Sequence, residues 1–577
     1  MTRLRPAVAV AVVALCAAFA APPGGAFEAG SLPRPGLPND LVALGREAAV
    51  VSAEPRATAI GLQVLREGGN AVDAAVAVAL ALAVTHPQAG NLGGGAFFVV
   101  RMADGTATTI DCREMAPRSA TASMYLRADG SVDEDKVRYG ATAAGVPGTP
   151  AGLWLLLQKF GTRTLPSLAA PAIRLASEGI VVDQHLAGDL WQHREQLGRF
   201  PSSKAVFFAG DRPLLQGEIL VQKDLAATLE RFAKVGHDGF YKGATAELLT
   251  AQMAKSGGFV TAADLSAYAA RERPPLRGSF RGHEVLTMGP PSSGGVALLE
   301  MLNLLEGFEL APLGFGGSEY LHLLTEVMAR AYADRARWLG DPDHYAVPVD
   351  GLTDKQYAAK LRASIRRDRR SEVAPGVPPG AKESDDTTHF SIVDRFGNAV
   401  ACTTTINDTF GAHEVVAGAG FLLNNEMDDF SAKPGTPNQF GLVGGVANAI
   451  APHKRMLSSM TPTLVLQDGQ LRLVLGSPGG GRIITAVLQV LLARLEFGLS
   501  LPAAVQAPRI HHQWQPAALR WEALALPPDV RQALAAKGHT FDAEPHGVGQ
   551  VQAIEVLPSG HRLGVCDHRS GGAAGAY

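Results

Sequence analysis

The stretch Asp386-Thr-Thr-His-Phe-Ser-Ile-Val-Asp-Arg-Phe-Gly-Asn-Ala-Val-Ala-Cys-Thr-Thr-Thr405 decides how this chain is read. His389 to Val393 and Ala399 to Thr405 alternate like two strands, and Asp394-Arg-Phe-Gly-Asn398 between them has the composition of a hairpin turn. Upstream, residues 363–386 carry Pro, Gly and charge without apolar periodicity, which predicts a mobile, exposed connection. Thr387 stands where that connection meets the first strand. A threonine that becomes a chain terminus holds its own base, the α-amine, beside its own nucleophile, the hydroxyl. An α-amine titrates at about 7.7–8.0 and is a usable base near neutral pH, whereas the amide of an uncut chain is not.

Further from the hairpin, Thr463–Leu466 and Leu471–Leu475 read as strands turned by Gln467-Asp-Gly469, and 551–556 with 562–565 read as a last pair. A helix is predicted over Arg482–Phe497. On the N-terminal side, Ala57–Val84 is helical with a break at Gly68-Gly-Asn70, and Gly90-Asn-Leu-Gly-Gly-Gly-Ala-Phe-Phe-Val-Val100 is a glycine turn feeding a strand. The turn lacks the lysine of a P-loop and the spacing of a dinucleotide fingerprint, so backbone packed on backbone is its reading. From 145 to 328 the pattern is mostly helical. Sheets and helices in layers are implied, an α/β (α+β) class, with no internal repeat.

Of the 577 residues 46% are hydrophobic and 19% charged, and the net charge is -3. No basic block interleaved with aromatics points to nucleic acid. Arg366-Arg-Asp-Arg-Arg370 is read as a solvated helix face. The first twenty residues read as a secretory signal: Arg3 and Arg5, an apolar run from Ala7 to Ala18, then Ala18-Phe-Ala20 for cleavage. A lipid anchor on Cys16 is the rival, with Leu15 larger than such a signal normally takes. The expected location is therefore periplasmic or secreted. No stretch of the mature chain is apolar for long enough to span a membrane, and Ala71–Val84, interrupted by Asp73, is expected to be a buried helix. With Cys16 removed, Cys112, Cys402 and Cys566 remain, too few for a disulfide framework. No Cys/His spacing calls for a metal, and His511 with His512 are read as packing residues.

Several tracts complete the picture. Arg113 lies in Asp111-Cys-Arg-Glu-Met-Ala-Pro117, and Asn407 follows the three threonines. Glu426 and Asp429 lie in Asn424-Asn-Glu-Met-Asp-Asp-Phe430, Ser458 and Ser459 in Lys454-Arg-Met-Leu-Ser-Ser-Met460, and Gly479 and Gly480 in Gly476-Ser-Pro-Gly-Gly-Gly-Arg482. In this order, from about Val51 to the C-terminus, they closely resemble the γ-glutamyltransferase family of N-terminal nucleophile hydrolases.

That resemblance implies a four-layer αββα sandwich and a precursor cut between Asp386 and Thr387. The large subunit would be 21–386 and the small subunit 387–577, sharing one fold as a heterodimer. Thr387 would be the nucleophile for its own cleavage and then for turnover, with Thr405 supporting its hydroxyl and Gly479 and Gly480 forming the oxyanion hole. Arg113, Ser458 and Ser459 would take the α-carboxylate of a γ-glutamyl donor, and Asn407, Glu426 and Asp429 its α-ammonium. Glutathione or a related γ-glutamyl compound would donate to water, an amino acid or a peptide, without cofactor or metal. Pro434 to Gly445 resembles the lid loop of many members, with Phe440 at a position often held by tyrosine, which loses the hydroxyl. A glutaryl or cephalosporin acylase, or a γ-polyglutamate depolymerase, of the same family would keep Thr387 and the glycines. The acylase has no need of acceptors for an α-ammonium. A non-catalytic periplasmic binding protein would have no use for Thr387, Thr405, Gly479 and Gly480 together.

Overall fold

The hairpin lies at the centre of a seven-stranded sheet in the computed structural model, which describes residues 40–376, 388–439 and 441–577. Thr387, Phe440 and the leader 1–20 fall outside the described residues. In chain order the strands are β1 (Val42–Gly45), β2 (Ala49–Ser52), β3 (Gly95–Arg101), β4 (Ala107–Cys112), β5 (Arg271–Arg273), β6 (Leu276–Phe280) and β7 (His283–Thr287). They continue as β8 (Thr388–Val393), β9 (Ala399–Thr405), β10 (Thr463–Gln467), β11 (Gln470–Gly476), β12 (Gln552–Val556), β13 (Arg562–Cys566) and β14 (Ala573–Ala576). One sheet runs β14-β2-β8-β9-β3-β4-β5 and the other β1-β13-β12-β11-β10-β7-β6, and every pairing is antiparallel. The strands expected from sequence are all present, each within two residues of its expected ends.

Alternation along each strand sends side chains to two buried faces. Val51, Phe97, Val99 and Ala401 of the first sheet meet Leu464, Val474 and Ile554 of the second. The opposite face of the first sheet, with Val50, Phe98, Val100 and Cys402, packs on the helices α1 (Pro55–Arg66) and α2 (Ala71–Thr85). The opposite face of the second, with Val465, Leu473 and Ala553, packs on α3 (Gly294–Leu305), α4 (Ser318–Trp338) and a helix over Arg482–Leu495. The central strands of both sheets are therefore covered on both faces, alternate side chains entering one apolar cluster or the other.

Helix α2 is buried along its whole length, as expected. Asn70 caps it, with Asp73 answering as a capping box, and the hairpin turn reaches over to help: the Ala71 N–H donates to Asp394 Oδ2 (2.9 Å). Among the described residues no helix is long and apolar enough to cross a membrane. Cys112, Cys402 and Cys566 are free and buried.

Two expectations hold in part. Arg366, Asp368 and Arg369 are solvent-exposed as read, but residues 366–370 form no helix; the helix α5 (Lys355–Ala363) stops before them. Residues 366–376 are largely exposed, as expected, yet they are not unattached. They are fastened by hydrogen bonds to side chains, which leave no periodic trace in sequence.

Candidate active site

Strand β8 begins at Thr388, opposite Thr404, so its first residue lies beside the end of β9. The glycine turn 90–95 holds that end. A Cβ on Gly94 would stand 1.9 Å from the Thr405 carbonyl oxygen, and one on Gly93 2.1 Å from that of Leu422. Asn91 donates from Nδ2 to the Thr405 carbonyl (2.8 Å) and accepts from the Gly94 N–H (3.0 Å). The glycines are thus a packing device, as read.

From Thr405 a chain of polar contacts runs into the interior. Its hydroxyl donates to Glu426 Oε1 (2.8 Å) and accepts from the Asn407 N–H (2.7 Å). Asn407 sits at φ +73, a conformation that asparagine tolerates better than most residues. It donates from Nδ2 to the Asn425 carbonyl (2.9 Å), while its Oδ1 is buried with no hydrogen-bond partner. Glu426 Oε2 is 2.6 Å from Arg113, which also pairs with Asp429 and lies 3.4 Å from Glu114. Arg113 follows directly on β4. Its side chain is fully buried and donates to the carbonyls of Met456 (3.1 Å) and Leu457 (3.4 Å). Ser458 and Ser459 follow those two residues in the chain, and the Ser458 carbonyl accepts from the hydroxyl of Ser293 (2.8 Å). The Ser458 hydroxyl accepts from the Met460 N–H (3.0 Å), and the Ser459 Oγ is buried with no hydrogen-bond partner.

Burial opposes the charge on Arg113, but Glu426, Glu114 and Asp429 outweigh it and hold the guanidinium protonated. Burial pushes Glu426 above the usual carboxylate range, with Arg113 pulling the other way. Glu114 is pushed well above that range by burial and by the neighbouring Glu426. Sequence reasoning missed Glu114, although it lies in the same tract as Arg113. It also missed Asn424, whose side chain binds the Glu426 N–H (3.1 Å) and the Gly93 and Gly145 carbonyls (2.7 and 2.9 Å).

Gly479 and Gly480 stand apart from this chain of bonds, between β11 and the Arg482–Leu495 helix. Their φ values of +128 and +65 need glycine, and their N–H groups make no hydrogen bond among the described residues. Two contacts set their position. At the end of β11 a Cβ on Gly476 would meet the His389 ring of β8 at 2.3 Å. On the other side Gly481 lies against Leu442 of the lid-like tract, which lines a small cavity with Asp429 and Asn448. An open cleft of about 860 Å³ along residues 347–364 contains none of the candidate residues.

Asp428 points away from Arg113. Burial pushes its carboxyl up to about 7, with Arg138 opposing. Between about pH 4 and 7 the folded chain therefore keeps a proton that the unfolded chain has released, so stability falls as pH rises through that window. Asp428→Asn is expected to remove this slope and to raise the thermal midpoint at pH 8 more than at pH 5. Equal shifts at both pH values would contradict it.

Among the described residues one group has metal-like spacing: His322, Glu326 and His539, with ligand atoms within 4.8 Å of one another. Each is already engaged. His322 Nδ1 meets His539 Nε2 and its Nε2 meets the Arg366 carbonyl (both 2.7 Å), while Glu326 accepts from the Ser371 N–H and pairs with Arg330 (both 2.9 Å). His511 bonds Thr485 (2.9 Å) and His512 the Ala517 carbonyl (3.2 Å), in keeping with packing roles.

The gamma-glutamyltranspeptidase family model matches residues 57–577. The chain belongs to that family. It is 48% identical over 530 residues to the glutathione hydrolase proenzyme of Escherichia coli strain K12, covering 91% of each chain. It is 39% identical to the Acylase ACY 1 proenzyme of Pseudomonas sp. strain SE83, covering 92% of this chain and 93% of that one. Among solved structures it resembles a cephalosporin acylase from Bacillus halodurans, with a TM-score of 0.84, 28% identity, and coverage of 96% of this chain and 99% of the other. Acylases are thus the more distant relatives by sequence.

Proposed function

We infer that this family member is a glutathione hydrolase with γ-glutamyltransferase activity, made as a proenzyme that cuts itself between Asp386 and Thr387. The observation that carries the reading is the continuous contact from Thr405 through Glu426 to Arg113 and Asp429, joined at Thr405 by Asn407, whose Oδ1 has no protein partner. Opposite charges and an unpartnered polar atom along one buried path suit an α-amino acid head group. Arg113, Ser458 and Ser459 take its carboxylate; Asn407, Glu426 and Asp429 take its ammonium.

In this reading the two covered sheets form the four-layer αββα sandwich of N-terminal nucleophile hydrolases. The Thr387 hydroxyl attacks the Asp386 carbonyl and the peptide C–N bond breaks, which frees the α-amine and leaves an ester; water then hydrolyses that ester to the Asp386 carboxylate and the Thr387 hydroxyl, leaving the subunits 21–386 and 387–577. In turnover the Thr387 hydroxyl attacks the γ-carbonyl of glutathione, and its proton passes to the α-amine and then to the departing amine. The Gly479 and Gly480 N–H groups face the oxyanion. Water, an amino acid or a peptide releases the γ-glutamyl group from Thr387. Residues 1–20 direct export to the periplasm or beyond and are removed.

Gly479→Ala puts a Cβ at φ +128 and disturbs those donors. It is expected to lower kcat by about 10²-fold with little change in KM; an unchanged kcat would remove Gly479 from the site. An acylase would have no need of the ammonium acceptors, so rates on γ-glutamyl and glutaryl anilides separate the readings. The γ-glutamyl anilide is expected to be the better substrate, and preference for the glutaryl compound would overturn the assignment.

A further inference from the structure

Helix α4 places a polar or aromatic side chain at every fourth position, His322, Glu326, Arg330, Asp334 and Trp338, and all five bind the segment 364–376. His322 binds the Arg366 carbonyl, and Arg330 the Ser364 hydroxyl and carbonyl (both 3.0 Å). Glu326 takes the Ser371 N–H, Asp334 the Gly376 N–H, and Trp338 donates to the Gly376 carbonyl (3.1 Å). His322, Glu326, Arg330 and Asp334 are at most 3% exposed, an unusual burial for such side chains. The segment's other side is held by residues far downstream: Trp514 Nε1 donates to the Val373 carbonyl (2.9 Å), and Lys537 Nζ to that of Arg367 (2.6 Å).

The last fastening is the most closely fitted. Tyr357 donates its hydroxyl to Asp334, which in turn receives the Gly376 N–H. A Cβ on Gly376 would stand 1.9 Å from the Tyr357 hydroxyl oxygen. The contact thus leaves no room for a Cβ at a position that lies twelve residues before Thr388.

We propose that α4 is a docking rail for the chain upstream of the cleavage site, with Asp334, Tyr357 and Gly376 as positioning residues that set the rate of self-processing without serving turnover. The proposal rests on the reading that the chain cuts itself before Thr387. Fixing Gly376 shortens the chain between fixed points and raises the frequency with which the scissile bond reaches its site. Losing the Gly376 fastening alone leaves Val373 held by Trp514, which moves the last fixed point from twelve to fifteen residues before Thr388, and loop closure alone then predicts processing about 1.4-fold slower. Because Trp514 and Lys537 belong to the downstream piece, the docked segment also joins the two pieces after the cut.

The test follows purified precursor into its two pieces on denaturing gels, for the parent, Gly376→Ala, Tyr357→Phe and the double variant. Gly376→Ala and Tyr357→Phe are each expected to process about 1.4-fold or more slowly. The double variant is expected to be no slower than Gly376→Ala alone, because losing the hydroxyl also makes room for the new methyl. Turnover per processed chain stays within twofold of the parent. Native processing rates in both single variants would overturn the proposal, as would additive slowing or a matching fall in turnover. Thr387→Ala, run alongside, reports separately on self-processing: if it is cut, that reading fails, whatever the rail variants do.

Discussion

Thr387→Ala is expected to remain a single chain on a denaturing gel and to lose γ-glutamyl transfer and hydrolysis by a factor on the order of 10⁴–10⁶, the scale of removing an enzyme nucleophile. Both losses have one cause. Without the hydroxyl there is no attack on the Asp386 carbonyl, no free α-amine, and no acceptor for the γ-glutamyl group. Thr388, next along, begins β8 in register with Thr404, so its backbone is committed to the sheet. A Thr387→Ala chain that is both cut and active would refute the assignment outright. Thr387→Ser is the complementary variant and keeps both functions at reduced rate.

The second large effect is expected at Arg113. Its guanidinium answers Glu114, Glu426 and Asp429 inside the protein, and its removal leaves those carboxyls without a cation. Breaking a buried ion pair from one side costs about 3–5 kcal/mol, so Arg113→Ala should lower the thermal midpoint measurably. Arg113→Lys separates that structural loss from recognition. It keeps the charge but not the planar fork, and is expected to raise KM for a γ-glutamyl donor about 10- to 100-fold, the worth of one to two charge-assisted hydrogen bonds. A normal KM in Arg113→Lys would mean that this arginine serves the fold alone.

Much of this was legible in the residues. The period of two around Asp394-Arg-Phe-Gly-Asn398 was sufficient for the central hairpin, and the glycines at 93–94 announced close backbone contact. Arg113, Glu426 and Asp429 were recognisable because their tracts are distinctive, and the structure brings them together. What escaped has a common physical reason. Asn424 acts through contacts with Gly93 and Gly145, far away in the chain, and Glu114 through its place beside Arg113 and Glu426, and neither leaves a spacing to read. The segment 366–376 was expected to be loose because it has no apolar period, yet an extended chain can be fixed by side chains of another element through its backbone groups alone. On α4, residues such as Glu326 and Asp334 suggest a solvated helix face, whereas that face is covered by this very segment.

The account stands or falls on where the chain is cut. N-terminal sequencing of the smaller piece from purified, processed protein is expected to begin Thr-Thr-His-Phe, starting at Thr387. A smaller piece starting at any other residue, or active protein in one uncut piece, would contradict it.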